Sequence, residues 1–188
     1  MKSLKIKLSV LLLLMIFLVI GSTGCYKMQY LEENEAVSIV KSLMENAEEI
    51  NRIHYGAGLE REIGNEGESY ARVIDSEKYK SLKDIEEFTR SVLSDRYATD
   101  ILNQTCKGMN ARYIEVGSLN EKVLLAKKEM TQILEIYTYD LSSIKIEQAT
   151  KLEINATIER SDGKMKKINI ISEYIEGESV WRIDSPTY

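Results

Sequence analysis

Two cysteines and one histidine are the side chains of this sequence best suited to nucleophilic or metal chemistry. They are Cys25, Cys106 and His54, and they stand far apart along the chain. A zinc site is built from three or four such ligands, usually in close pairs, and this spacing offers none. The sequence also has no nucleophile elbow and no Gly-rich phosphate loop. We therefore predict no catalytic residue, no metal site and no cofactor.

His54 keeps one enzymatic alternative open. It ends a helical pattern, and the helix dipole favours a histidine at that position, on or near the surface. Catalysis would require His54 to point into a pocket beside a carboxylate. Cys106 lies in an apolar helical stretch, and we interpret it as a small buried side chain rather than a reactive thiol.

Cys25 closes a segment with the three-part layout of a secretory signal. Lysines at positions 2, 5 and 7 form the basic start, an apolar run covers Leu8 to Ile20, and small residues fill positions 21–24. The apolar run of about 13 residues is short for the ~20 that cross a bilayer. An uncleaved membrane anchor is the alternative, and cleavage is favoured because the small residues end at a cysteine.

The residues Ser22-Thr23-Gly24-Cys25 resemble a lipobox, the cleavage motif of bacterial lipoproteins, with Ser22 where leucine is usual. The resemblance implies that the Cys25 thiol receives a diacylglycerol carrying palmitate-type chains, and that the preceding peptide bond is cut. Several acyl chains anchor a protein firmly. We therefore expect the mature protein on the outer, extracellular face of the cytoplasmic membrane.

Residues 1–24 are thus predicted to be a lipoprotein signal peptide, residues 25–30 a tether and residues 31–188 a single domain. Loss of the signal removes three lysines and no acidic residue, which leaves 22 basic and 30 acidic residues and a net charge of about −8. Such an acidic chain is a poor partner for nucleic acid. Its membrane contact would come from the lipid rather than from attraction to anionic headgroups.

Helical patterns occupy the first half of the domain. Apolar residues recur at spacings of three and four from Leu31 to His54, and the Gly-rich, unpatterned segment 56–69 predicts an exposed loop. Ser81 with Asp84 three residues on predicts an N-cap for a helix that continues to Leu93. A further short helix is predicted from Asp95 to Cys106.

The pattern then changes to a period of two. Ile144 to Ile158 alternates apolar and polar residues, which predicts one long strand with a bend or bulge near Gln148–Thr150. Ser161-Asp162-Gly163 predicts a hairpin turn, and residues 164–175 the returning strand. Residues 176–178 predict another turn, and residues 180–183 a last strand.

Three upstream segments are less regular. Residues 131–139 are predicted to form a strand and residues 111–116 a weaker one, whereas 121–129 fits helix or strand equally. Helices followed by a meandering antiparallel sheet favour an α+β domain, with the N-terminal helices packed on a curved sheet. A cone of the NTF2-like or cystatin-like type is the common fold of this kind.

Two stretches carry a resemblance to a known family. They are YARVIDSEKYKSLKDIEEFTRSVL, from Tyr70 to Leu93, and the C-terminal SVWRIDSPTY, with Trp181 to Pro186. Both look like the IseA-type DL-endopeptidase inhibitors of Gram-positive bacteria. The resemblance implies a surface protein whose partner is a cell-wall hydrolase, a cysteine peptidase of the NlpC/P60 class. Ala111–Asn120 offers only Gly117 where the family carries a Gly/Asp-rich segment, so no inhibitory interface is assigned.

Three functions follow from these observations. The first is a membrane-anchored inhibitor of peptidoglycan endopeptidases that fills the enzyme cleft with a protruding element, the loop 56–69 or the turn 161–163. The alternative is an NTF2-like binding module for a small ligand or peptide at the cell surface, which requires an open cavity beside the even-numbered residues of 144–158. The enzyme built on His54 is the third, and structural or sporulation roles stay open.

Overall fold

The computed structural model describes residues 29–74, 77–118, 121–130 and 134–188. The predicted signal peptide and its lipidation site, Cys25, lie outside the described residues. Three helices and seven strands are described: α1 (Glu33–His54), β1 (Tyr70–Arg72), α2 (Leu82–Val92), α3 (Asp95–Thr105), β2 (Tyr113–Ser118), β3 (Glu121–Lys127), β4 (Tyr139–Ala149), β5 (Glu153–Arg160), β6 (Met165–Ile175) and β7 (Glu178–Ile183).

Helix α1 forms because its apolar residues follow one stripe. Val40, Met44 and Ala47 are completely buried along that stripe, and acidic residues in the first turn complement the helix dipole. The helix prediction is confirmed, with the start at Glu33 rather than Leu31. α1 lies on one face of a four-stranded antiparallel sheet in the order β4-β5-β6-β7, called the large sheet below.

The large sheet contains the clearest correction to the sequence prediction. Ile144–Ile158 is not one bent strand, because the chain reverses at residues 150–152 and places Ala149 opposite Ile154. The side chain of Thr150 forms this turn: its Oγ1 accepts hydrogen bonds from the backbone N–H groups of Leu152, at 3.2 Å, and Glu153, at 3.0 Å. A bend or bulge was expected near Gln148–Thr150. β4 has a register shift between Ile146 and Gln148, and the chain then reverses in a hairpin.

The two later turns are confirmed. Gly163 has a φ of +78°, and the backbone N–H of Arg160 donates to Lys164 O across the first hairpin. Glu176 and Gly177 both have positive φ, the requirement of a tight hairpin turn of this type. The strand prediction for 131–139 is wrong for residues 134–138, which form irregular structure that leads into β4.

A second, three-stranded sheet has the order β1-β3-β2 and is called the small sheet. It includes the weaker strand predicted at 111–116. Residues 121–127, which fitted helix or strand equally in the sequence, also form a strand of this sheet. Its inner face packs with α2 and the end of α1 in a core that contains Tyr113, Leu124 and Ile85. The predicted N-cap of α2 is present as a complete capping box between Ser81 and Asp84.

The α+β class, with helices packed on an antiparallel sheet, is confirmed. The strands form two sheets rather than one continuous curved sheet. Among the described residues, none of the helices combines the length and the apolar character needed to cross a membrane.

Candidate recognition surface

The large sheet and α1 give the domain two opposite ends. At one end the chain enters beside the β4–β5 turn: Tyr30 pairs with Thr150, and Lys151 N–H donates to Gln29 O at 2.9 Å. We call this the tether end. α1 runs from there antiparallel to β4, and its 22 residues span about 33 Å at 1.5 Å per residue. The loop 56–69 follows α1 and therefore lies at the distal end.

The first part of the loop 56–69 is fixed to the small-sheet core. Tyr113 OH donates to Ile53 O at 2.9 Å and accepts from Leu59 N–H at 3.1 Å, while Arg52 donates to Gly58 O at 2.6 Å. Gly58 has a φ of +79°, and a Cβ there would meet the side chains of Met130 and Tyr113. Glycine is favoured at this position because the positive φ strains any other residue and a side chain would displace these neighbours.

The second part of the loop is fixed to the edge of the small sheet. Glu62 N–H donates to Arg72 O, and Ile74 N–H donates to Glu60 O, so the loop pairs alongside β1. Arg61 donates to Lys128 O at 2.7 Å, and Lys128 in turn donates to the backbone carbonyl of Asn65. The loop is therefore held in one conformation by contacts on both sides of its tip.

Ile63 is the exposed residue at the tip of this fixed loop. Its side chain is 100% exposed, although the residues on either side of it are tied down. It borders an open groove of about 720 Å³, whose floor includes Tyr70, Ile114 and Leu125. A protruding aliphatic side chain on a rigid loop, beside a groove, is the arrangement of an interface anchor.

The floor of this groove belongs to the outer face of the small sheet. Ile114 is paired with Leu125, and Val116 with Val123, and Val116 is 43% exposed. Sequence analysis missed this face, although the unbroken apolar run Val123–Ala126 carries a signal, because such runs are typical of strands that are covered on both sides. In the small sheet, α2 covers one face and the other face is exposed to solvent.

The charge of the loop 56–69 is strongly acidic. It contains four glutamates and one arginine, and the glutamates at positions 60, 62, 66 and 68 are all exposed. Lys128 and Arg72 lie beside the loop and offset part of this charge. The outward edge of the loop therefore favours a partner surface with basic residues around an apolar depression.

The other candidate element, the turn 161–163, lies at the distal end of the large sheet. Arg160 forms an ion pair with Asp162 and stacks on the Tyr137 ring, 3.7 Å from its centroid. The hydrogen bond and charge of Arg160 lower the pKa of Asp162 to about 2. The turn 161–163 and the loop 56–69 both lie at the distal end of the molecule, away from the tether end.

His54 is not a surface residue, in contrast to the sequence interpretation. It is completely buried between α2 and α3, with Nδ1 2.6 Å from Thr105 Oγ1 and Nε2 2.9 Å from Thr89 Oγ1. Burial, with the nearby charge of Arg112, lowers the pKa of His54 to about 3. Its ring is neutral at physiological pH and contacts two hydroxyls rather than an acid.

Cys106 is partly buried and contacts the core of the small sheet. Burial raises the pKa of its thiol to about 11, so the reactive thiolate is scarce at neutral pH. Within the described residues, no group of three Cys, His, Asp or Glu side chains is placed to hold a metal ion.

The inner face of the β4–β5 hairpin is filled rather than hollow. It holds the even-numbered residues of β5 but not Gln148 of β4, because a register shift in β4 leaves Gln148 exposed and Ala149 buried. Ile154 and Ile158 are completely buried, as are Val40 and Met44 of α1, in a single hydrophobic cluster. The cavity that a cone-shaped binding module would use is thus occupied by the protein's own side chains.

Comparison with known proteins adds no assignment. No protein-family model matches the chain, and no curated protein matches it.

Proposed function

We propose that this protein is a membrane-anchored inhibitor of peptidoglycan DL-endopeptidases, the cell-wall hydrolases of the NlpC/P60 cysteine-peptidase class. The observation that carries this proposal is the exposure of Ile63, a fully exposed aliphatic side chain on a loop held from both sides. An inhibitor of this kind needs a rigid protruding element that fills a cleft, and it needs no catalytic group of its own.

The positions of the two ends support the same proposal. An acylated Cys25 would hold the tether end at the membrane, and the loop 56–69 would then point toward the cell wall, where these hydrolases act. The distance of about 33 Å along α1 keeps the loop clear of the headgroups. The resemblance of Tyr70–Leu93 and Trp181–Pro186 to IseA-type inhibitors supplies the partner class.

The two alternatives have less support. The binding module required an open cavity beside the β4–β5 hairpin, and that region is packed with isoleucine and methionine side chains. The enzyme required His54 in a pocket beside a carboxylate. The two ring nitrogens of His54 instead lie within hydrogen-bond distance of the hydroxyls of Thr89 and Thr105.

The test is inhibition of wall digestion by the soluble fragment 26–188, which contains every described element. We expect this fragment to slow the release of peptides from purified peptidoglycan by an NlpC/P60-type endopeptidase of the same organism. Ile63→Ser should weaken inhibition about fivefold or more, because loss of a central apolar anchor typically costs over ~1 kcal/mol of binding.

The matched control is Leu152→Ser, which also removes an exposed aliphatic side chain, 74% exposed, but at the tether end. It should inhibit as well as the unchanged fragment. Exposed substitutions of this kind change stability little, so both variants should fold. Failure of the unchanged fragment to inhibit any endopeptidase in a panel from that organism would reject the proposal.

A further inference from the structure

We propose that the tether end of the domain lies on the bilayer, where Tyr30, Leu152 and Tyr174 insert their side chains into the headgroup region. The inference builds on the proposed lipid anchor at Cys25. It adds a second contact with the membrane, made by the folded domain, which fixes the orientation of the molecule.

Exposed apolar side chains are concentrated at this end. Tyr30 is 67% exposed, Leu152 74% and Tyr174 78%, and Ile175 follows with 40%. They account for four of the nine large hydrophobic side chains that are exposed among the described residues. Isolated exposed apolar residues need no explanation, whereas a cluster at one end indicates a contact surface.

The backbone brings these residues together although they are distant in sequence. Tyr30 pairs with Thr150, and Leu152 follows in the same turn. Leu152 O accepts a hydrogen bond from Ser172 N–H at 2.8 Å, so the β6–β7 turn with Tyr174 projects beside the β4–β5 turn. Three chain segments therefore each present a side chain at the same end of the strands of the large sheet.

The position of the anchor identifies the bilayer as the occupant of this surface. Cys25 precedes Gln29 by four residues, and four residues reach at most about 14 Å. A lipidated Cys25 therefore confines the cluster to the immediate neighbourhood of the headgroups. Tyrosine suits this environment because its ring is apolar and its hydroxyl is polar.

The charges around the cluster set the depth of the contact. Glu173, Glu176 and Glu178 flank the β6–β7 turn, and Lys151 is the basic residue of the β4–β5 turn. Carboxylates are repelled by anionic lipids, so only the side-chain tips reach the interface. The contact is consequently apolar in origin and too weak to hold the domain without the acyl chains.

The test uses the full lipidated chain, purified from membranes and reconstituted in phosphatidylcholine vesicles. Spin labels are placed singly at Leu152→Cys, Tyr174→Cys and, as a distal control, Glu66→Cys, each in a Cys106→Ala background. Collisions with oxygen, which is concentrated in lipid, are compared with collisions with a water-soluble nickel complex. The soluble fragment 26–188 with the same labels gives the reference.

Labels at 152 and 174 should show a several-fold higher ratio of oxygen to nickel collisions on vesicles than in solution, with no change at 66. An unchanged ratio at 152 and 174 would overturn the proposal. So would protection of both sites from both reagents, which would indicate a second copy or another protein. Stronger contact on vesicles that contain phosphatidylglycerol would also contradict an apolar contact flanked by carboxylates.

This experiment and the digestion assay fail independently. A chain that does not float with vesicles would overturn the membrane proposal together with the lipobox assignment, whereas inhibition by the fragment 26–188 requires no membrane. Conversely, bilayer contact at 152 and 174 would stand if no hydrolase were inhibited.

Discussion

At the scale of single residues, His54 connects all three helices. It ends α1, while Thr89 belongs to α2 and Thr105 to α3. A neutral imidazole has one N–H, so it donates to one threonine and accepts from the other. The threonine that accepts from the ring can keep its own hydrogen bond to the carbonyl four residues earlier, Ile85 O or Ile101 O, whereas the threonine that donates to the ring gives that bond up. A buried polar network of this kind is stable only when each member has a partner. His54 is therefore better explained as a structural connection than as a catalytic base.

The buried ring gives a pH dependence that can be measured. The pKa of His54 is about 3 in the folded protein, against an ordinary value of 6.5, so the unfolded chain binds a proton that the folded chain does not. The free energy of unfolding should therefore fall as the pH drops below 6.5, by about 2 kcal/mol between pH 7.5 and pH 5. Urea unfolding at several pH values measures this loss.

The comparison variant is His54→Gln, which keeps an amide donor and acceptor but does not titrate. We expect it to be less stable at pH 7.5, and its stability to change much less down to pH 5. The carboxylates, whose ordinary values are near 4, titrate mostly below this window. Equal slopes for the two proteins would show that His54 is not the titrating group.

At the scale of elements, α2 connects the two halves of the domain. Its buried Ile85 packs in the small-sheet core, whereas Val92 belongs to the large-sheet core. The helix is only 11 residues long, and isolated helices of that length are marginal in water. Its capping box therefore contributes more to the stability of the helix than it would in a longer helix.

Ser81→Ala should destabilise the protein by about 1 kcal/mol, the usual cost of losing an N-cap hydroxyl. The serine accepts from Asp84 N–H at 3.2 Å, and that N–H would lose its partner at the helix start. Thermal or urea unfolding measures the change. Ser91→Ala, the same substitution at an exposed position of α2, should cost nothing, because alanine is the better helix former. A similar loss in both variants would argue against a capping effect.

The accuracy of the sequence predictions differed between elements for physical reasons. α1, the Ser81 cap and the turn at Gly163 depend on local chemistry, and all three were predicted correctly. The β4–β5 hairpin was missed because the alternation continues on both sides of the turn. Thr150 forms that turn with its side chain, and threonine is a much weaker turn signal than Asp-Gly.

The candidate surface was only partly predictable. The loop 56–69 was expected from its composition, but the exposure of Ile63 depends on contacts with Arg72 and Lys128, which are distant in sequence. The outer face of the small sheet was missed because Val123–Ala126 has no alternation from which to infer two different faces. Burial of His54 was missed because both its partners come from other helices.

At the scale of the whole molecule, the domain separates its two proposed contacts. The tether end carries Tyr30 and Leu152, whereas the distal end carries Ile63 and the turn 161–163. α1 and β4 extend between them, so neither contact restricts the other. This separation is what an inhibitor requires if it is fixed to the membrane and its targets are in the wall.

The anchor itself is tested by Cys25→Ser. Acylation of a lipobox cysteine proceeds through its thiol, which serine lacks, so metabolic labelling with a fatty-acid analogue should be lost. Cys106→Ser is the matched control and should keep the label, because Cys106 is partly buried and its raised pKa keeps the thiol protonated. Labelling that persists in Cys25→Ser would show that the lipobox assignment is wrong. The proposed orientation of the domain on the membrane would then lose its basis, while the proposed inhibitory surface at the distal end would still be tested by the digestion assay.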